Sequence, residues 1–317
     1  MKKYKILHVG LCVQPAPFND MQVAFIENSI EYRELSTGDP NVNQNTIKIA
    51  SEFKPDIVFF QIQAPSIVSP ETVRQLKLMG AKVYNWTGDV RDPLPNWFVT
   101  FGADVTLFSN MKDVRTMANL GLKADFLEIG FDPNIYNASG NVTNTPPIVF
   151  FGNSYGLHMF PLSKFRYDMA IYLRSEFGDK FGVYGHGWGF ANGNFNHSQR
   201  EEAAAYRGSK IAINCSHFEI ERYSSDRLLR ILGTGTPICL AKYYPGIEID
   251  YEDKVHLRVW RTLEELKSLI NYYLKEENEL ERREIALNGM IHARENFTFD
   301  RMVKNLIQIH EKWTSQQ

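Results

Sequence analysis

Ser224-Ser225-Asp226-Arg227-Leu228-Leu229-Arg230-Ile231-Leu232-Gly233-Thr234-Gly235-Thr236-Pro237 is the stretch that decides the fold. Hydroxyl and charged residues lead into an apolar helical pattern. The pattern stops at Gly233-x-Gly235, and Pro237 opens a short apolar run, Ile238-Cys239-Leu240. Ser and Asp ahead of such a pattern are an N-cap signal, and glycines behind it are a C-cap signal. The stretch therefore reads as helix, tight turn and buried strand. A helix N-terminus carrying Ser225, Asp226 and Arg227 suits an anionic ligand. Free backbone N–H groups and the positive end of the dipole point outward there, and an arginine can fork onto a diphosphate.

Working outward, apolar strand-like runs alternate with longer helical patterns on both sides of this stretch, the signature of a parallel α/β sheet. Strands are expected over 4–9, 31–35, 57–61, 82–86, 104–109 and 124–127 in the first half. In the second half they are expected over 148–151, 181–184, 210–214 and 237–241. Ser69-Pro70-Glu71 reads as a helix start: a capping hydroxyl, a proline in the first turn and an acid beside the dipole. Residues 130–147 are rich in Gly, Pro, Asn, Ser and Thr and read as a linker, after which the alternation restarts. Two such halves leave a cleft at the carboxyl ends of their strands, where open α/β sheets bind ligands.

The chain has 317 residues, 44% of them apolar, enough for two domains with their own cores at about 150 residues each. A net charge of -2 excludes a global basic field of the kind that recruits nucleic acid. Cys12, Cys215 and Cys239 are far apart in apolar surroundings and read as reduced core residues. The opening run, MKKYKILHVGLCV, is too short for a signal peptide and reads as a first core strand, with His8 a hydrogen-bonded core residue. No apolar run approaches the roughly 18 residues of a membrane span, and a cytoplasmic protein is expected.

Several motifs in the second half resemble one family. They are Phe150-Phe151-Gly152-Asn153, Tyr184-Gly185-His186-Gly187-Trp188, Ser209–Asn214, Arg227 through Gly235-Thr236-Pro237, and Phe297-Thr298-Phe299-Asp300-Arg301. Their order and spacing are similar to those of GT-B glycosyltransferases, in the branch like spore-maturation glycosyltransferases. The resemblance covers most of 148–305. It implies two Rossmann-like parallel-sheet domains facing a cleft: an acceptor domain over 1–140, a nucleotide-sugar donor domain over 146–295, and a C-terminal helix over 296–317 that crosses back onto the first domain.

Carried over by position, the resemblance puts Gly152 and Asn153 under the donor and makes Tyr184, Gly185 and Trp188 walls of the base site. It sets Lys210 and Arg227 on the diphosphate, counts Ser225 and Arg230 among the donor-binding residues, and brings the Gly235-Thr236 turn to the diphosphate by backbone. Many donor helices of the family carry a ribose-gripping Glu where this chain has Arg230; Arg230 accepts no hydrogen bond, so either the ribose is read elsewhere or Arg230 contacts phosphate. The expected co-substrate is a nucleoside-diphosphate sugar, a UDP-sugar first, with no permanently bound cofactor. The acceptor is a glycan hydroxyl, or a hydroxylated DNA base as in some viral enzymes. No Asp-x-Asp pair occurs, and no metal is required in principle, because fixed cations and helix dipoles can stabilise a leaving diphosphate. An inverting enzyme needs a base, and Asp89, at a strand exit, is the first candidate, ahead of Asp20 and Asp92.

Two other readings stand beside this one. Gly152-Asn153-Ser154-Tyr155-Gly156 matches the G-x-S-x-G nucleophile elbow, with Asp226 and either His256 or His292 following in triad order, so a serine esterase using Ser154 is one alternative. A binding module that holds nucleotide or sugar without turnover is the other.

Overall fold

The computed structural model describes residues 3–11, 20–28, 30–193 and 198–315, the side chain of Asp20 excepted. The chain divides into two compact units, residues 1–130 with 299–317 and residues 131–298. The first unit runs β1 (Lys5–Gly10), α1 (Asp20–Glu27), β2 (Glu31–Ser36), α2 (Val42–Phe53), β3 (Ile57–Phe60), α3 (Pro70–Leu78), β4 (Lys82–Thr87), α4 (Trp97–Thr100), β5 (Val105–Phe108), α5 (Met111–Asn119) and β6 (Ala124–Phe126). The second runs β7 (Ile148–Phe151), α6 (Ser163–Phe177), β8 (Phe181–Tyr184), α7 (Gln199–Gly208), β9 (Ile211–Asn214), α8 (Asp226–Thr234), β10 (Ile238–Lys242), α9 (Ile247–Asp250), β11 (Arg258–Trp260), α10 (Leu263–Leu274) and α11 (Glu279–Asn296). The last helix, α12 (Phe299–Thr314), belongs to the first unit.

Both sheets are parallel. The first has six strands in the order β2-β1-β3-β4-β5-β6, and the second has five in the order β11-β10-β9-β7-β8. Central strands of a parallel sheet are covered on both faces, so they read as continuous apolar runs. Ile57-Val58-Phe59-Phe60 and Ile148-Val149-Phe150-Phe151 are such runs, and every residue in them is buried. Local signals set the helix ends. Ser69 accepts from the Thr72 N–H at 3.1 Å at the start of α3, Thr262 and Glu265 form a reciprocal capping box on α10, and Gly235 closes α8 in the left-handed region at φ 67°.

The expected parallel-sheet α/β architecture holds in both units. The elements that the sequence pattern passed over are short: the four-residue α4 and α9 and the three-residue β11. Helix α12 completes the first unit's core. Met302, Val303, Leu306 and Ile309 pack with Ile6, Phe25 and Trp86, and polar contacts tie both ends down. Asn28 donates to Asp300 at 2.7 Å, the Tyr4 hydroxyl donates to Glu311 at 3.1 Å, and the Tyr84 hydroxyl lies 3.1 Å from His310 Nδ1. Cys215 and Cys239 are buried free thiols, and burial pushes the Cys215 thiol up to about 11; Cys12 lies outside the described residues. Among the described residues no helix is long and apolar enough to cross a membrane.

Candidate active site

The carboxyl ends of β7 and β8 meet backbone to backbone. The Gly152 N–H donates to Tyr184 O at 2.9 Å, the Ser154 N–H donates to His186 O at 2.8 Å, and the His186 N–H donates to Asn153 Oδ1 at 2.9 Å. Gly185 sits at φ +140°, and a Cβ there would run into the Gly152 carbonyl, so only glycine lets the two loops close. Trp188 lies beneath them at 2% exposure, donating from Nε1 to Gly152 O at 2.6 Å. That corrects one expectation: Trp188 is the buried anchor of the loop pair and not a wall of a base site. Tyr184 is half-buried, with its ring stacked on Phe151 at 4.9 Å.

Under this turn lies a cluster that sequence reasoning missed. Gly152 has φ +154°, and a Cβ on it would stand 2.5 Å from Arg166 Nη2 and 3.9 Å from Arg227 Nε. Arg166 projects from α6 and is 2% exposed. Its Nε donates to Cys215 O at 2.9 Å and its Nη1 to Asn153 O at 3.1 Å, and Nη1 also donates to the His217 ring. The guanidinium lies 5.2 Å over the Phe150 ring. Its partners are carbonyls, an imidazole and an aromatic face, with no carboxylate among them. Burial, with Arg227 adding to it, pushes Arg166 down to about 10. His217 is pushed down to about 3, by burial first and then by Arg166 and Arg227, so its ring is neutral. Tyr155 and Phe160 flank that ring at 5.3 and 4.9 Å. A buried cation without a counter-charge is costly unless something anionic joins it.

The N-terminus of α8 differs from expectation in one respect. Ser225 occupies the N-cap position but makes no side-chain cap bond; its hydroxyl accepts from Asn214 Nδ2 at 3.0 Å. The Asp226 carboxylate sits at the first turn of α8. Burial works against that carboxylate, but Arg230, at 2.6 Å, and Arg227, at 3.7 Å, together with the first-turn backbone, hold it below the usual range.

Arg230 does not reach the cluster. It pairs with Asp226 at 2.6 Å and Glu202 at 3.0 Å, and lies 5.7 Å over the Tyr136 ring, which also donates to Glu202 at 3.3 Å. This neutralised group replaces the expected phosphate contact, and within it Glu202 Oε1 and the Tyr206 hydroxyl are buried without a partner. Lys210 is at the amino end of β9, its N–H bonded to Pro147 O at 2.9 Å and its Nζ paired with Glu276 at 2.7 Å. Parallel strands put that end opposite Gly152, which removes Lys210 from the site. Gly235 and Thr236 are displaced for the same reason. They follow the last turn of α8, and a Cβ on Gly235 would strike Met290 of α11, so the glycine serves helix packing.

In the first unit, Asp89 follows β4, is exposed and pairs with Arg91 at 3.2 Å, while Asp92 pairs with Lys112 at 2.6 Å. The side chain of Asp20 lies outside the described residues. His8 is a core residue as expected, 2.7 Å from Gln61 Oε1, and burial pushes it down to about 4. The nucleophile elbow is not formed. An elbow needs a helix directly after the serine, whereas 152–162 contain none before α6 begins at Ser163. Asp226 is held by Arg230, and His256 and His292 stack on each other at 4.0 Å, so no triad exists.

A family model described as "Glycosyl transferase-like" matches residues 169–308. The fold is shared with solved glycosyltransferase structures. A glycosyltransferase from Rickettsia africae ESF-5 aligns over all of both chains with a TM-score of 0.63 at 14% identity. Anabaena Alr3699/HepE, solved in complex with UDP and glucose, aligns over 98% of this chain and 100% of its own, with a TM-score of 0.64 at 11% identity. Sucrose-phosphate synthase from Thermosynechococcus elongatus aligns over 99% of this chain and 100% of its own, with a TM-score of 0.71 at 8% identity. No curated protein sequence matches the chain. The fold is that of GT-B glycosyltransferase structures, and residues 169–308 are similar to the glycosyl transferase-like family. The description of the matched model is broader than the spore-maturation-like branch.

Proposed function

We propose that the protein transfers a sugar from a nucleoside-diphosphate sugar, with UDP as the nucleotide, to an acceptor hydroxyl. The observation that carries this reading is the pair Arg166 and Arg227 at the Gly152 turn, where Arg166 is buried with no carboxylate partner among the described residues. When the anomeric C–O bond breaks, its electron pair passes to the leaving diphosphate. Two fixed guanidinium groups stabilise that charge in a site of low dielectric. The UDP complexes of the Anabaena protein support uracil as the base, and Tyr184 and His186 offer it a rim.

Asp89 is the proposed base for the acceptor hydroxyl. A glycan acceptor is favoured over DNA by an observation on the first unit. Of the basic residues a DNA face would need, Arg74 is paired with Glu71, Lys77 with Asp104 and Arg91 with Asp89. A groove neutralised in this way gives little counterion release.

The test is thermal stabilisation by UDP, GDP, dTDP, ADP and CMP at saturating concentration, since a ligand that binds only the folded state raises the melting temperature. A shift with UDP that is lost in Arg227→Ala is expected. No shift with any nucleotide would overturn the reading.

A further inference from the structure

His217 follows β9 and enters the arginine cluster from the far side of Arg166. The groups facing it come from three elements. Arg166 and Ser163 project from α6, the latter with its hydroxyl 3.4 Å from Nδ1. Arg227 comes from α8, Tyr155 and the Asn153 backbone from the loop after β7, and His217 itself lies past the exit of β9. The only charged groups in this set are the two guanidiniums. The nearest carboxylate along the chain, Glu219, is ion-paired with Lys242. Half-buried, His217 thus faces two guanidiniums, of which Arg227 is paired with Asp226 at 3.7 Å and Arg166 touches no carboxylate among the described residues.

We propose that His217 takes up one proton from solvent when the donor diphosphate binds at Arg166 and Arg227, and donates a hydrogen bond to that diphosphate as an imidazolium. This rests on the donor reading above and adds to it a third cation that exists only in the loaded state. In the free protein the ring accepts from Arg166. A diphosphate carries two negative charges and competes for the same guanidinium, so its arrival frees the ring nitrogen and neutralises the two cations. During transfer the electron pair of the broken anomeric C–O bond goes to the phosphate oxygen, whose charge the imidazolium then shares. The proton lost by the acceptor hydroxyl is a different one and goes to the base. On release of the nucleoside diphosphate, His217 returns its proton to solvent.

The depressed value of the free imidazole agrees with this. Burial holds the ring down first and Arg166 and Arg227 add to it, and the part owed to the two cations is released when they are neutralised.

The experiment is calorimetric titration of the full chain with UDP-glucose, whose diphosphate diester has no ionisation of its own between pH 5.5 and 7.5. Titrations at pH 5.5, 6.0 and 7.5 in two buffers of different ionisation enthalpy give the number of protons taken up. The wild type should take up a proton fraction that rises toward one as pH falls, with affinity increasing several-fold from pH 7.5 to 5.5. His217→Asn should bind with no uptake and a flat pH dependence. Binding by the wild type without proton uptake overturns the proposal even if the variant fails to fold. Equal uptake by His217→Asn overturns it as well, by assigning the proton to another group. An absence of UDP-glucose binding overturns the donor reading itself, and with it the anion on which the uptake depends.

Discussion

Two arginines of the second unit, the largely buried Arg230 and the fully buried Arg166, have opposite surroundings. Arg230 lies between Asp226 and Glu202, and although burial works against its charge, the two carboxylates hold its pKa well above the ordinary value. Arg166 is more deeply buried, touches carbonyls, an imidazole and an aromatic ring, and is pushed down to about 10. The first is a completed electrostatic unit whose role is to join α7 to α8. The second is incomplete in the folded chain, and what would complete it is an anion. A charged side chain inside a protein points to a ligand when its counter-charge is missing, and to architecture when it is present.

The largest expected effect breaks the complete side of this comparison. Arg230→Ala leaves Asp226 and Glu202 partly buried without their partner, and should cost about 3–5 kcal/mol in the unfolding of the second unit, read by urea denaturation. A cost below about 1 kcal/mol would show that Arg230 is not the keystone described.

A second effect concerns pH. His8 in the first unit and His217 in the second are held neutral, at about 4 and about 3 against an ordinary 6.5. Each folded histidine binds fewer protons than its unfolded counterpart between those values. Their stability contribution is thus complete above pH 6.5 and is lost as pH falls toward 4. For His8 the loss is roughly 3 kcal/mol at about 1.4 kcal/mol per unit. Melting temperatures from pH 7 to 4 should fall accordingly. UDP-glucose should restore the second unit's share and leave that of His8 untouched. Restoration of both would separate the effect from the arginine cluster.

The incomplete side is sharpened by Arg227→Ala. Loss of one charge-assisted contact of about 1.5–3 kcal/mol should weaken donor binding roughly ten- to a hundredfold, measured by calorimetry. The smallest expected effect is a control. Lys210→Ala removes an exposed pair with Glu276 and should change stability by less than about 1 kcal/mol, with donor affinity unchanged. A tenfold loss of affinity there would return Lys210 to the site.

The strand–helix alternation was legible because parallel strands demand apolar runs and crossovers; β7 and β8 fall on the expected residues. The loops after them were legible through their glycines. Arg166 was passed over because it sits within an ordinary helical pattern, yet a signal was present. It occupies the register of Met169, Ala170 and Leu173, which are buried, so a charge stands at a core position. His217 had no such signal, since nothing near it in sequence announces two arginines that arrive from α6 and α8. Arg230 was misread for a similar reason: its partner Glu202 comes from another helix, across a long separation in sequence. Lys210, Gly235 and Thr236 were misplaced by motif order alone, which does not say at which end of a strand or helix a residue falls.

The first unit closes only with α12, a helix drawn from beyond the whole of the second. During synthesis the ribosome must deliver residues 131–298 before the segment that seals the first sheet. The earlier-made half is therefore the later to be finished. Until α12 docks, Ile6, Phe25 and Trp86 wait without their cover, and the nascent chain offers an apolar face on which a chaperone, or an aggregate, can act.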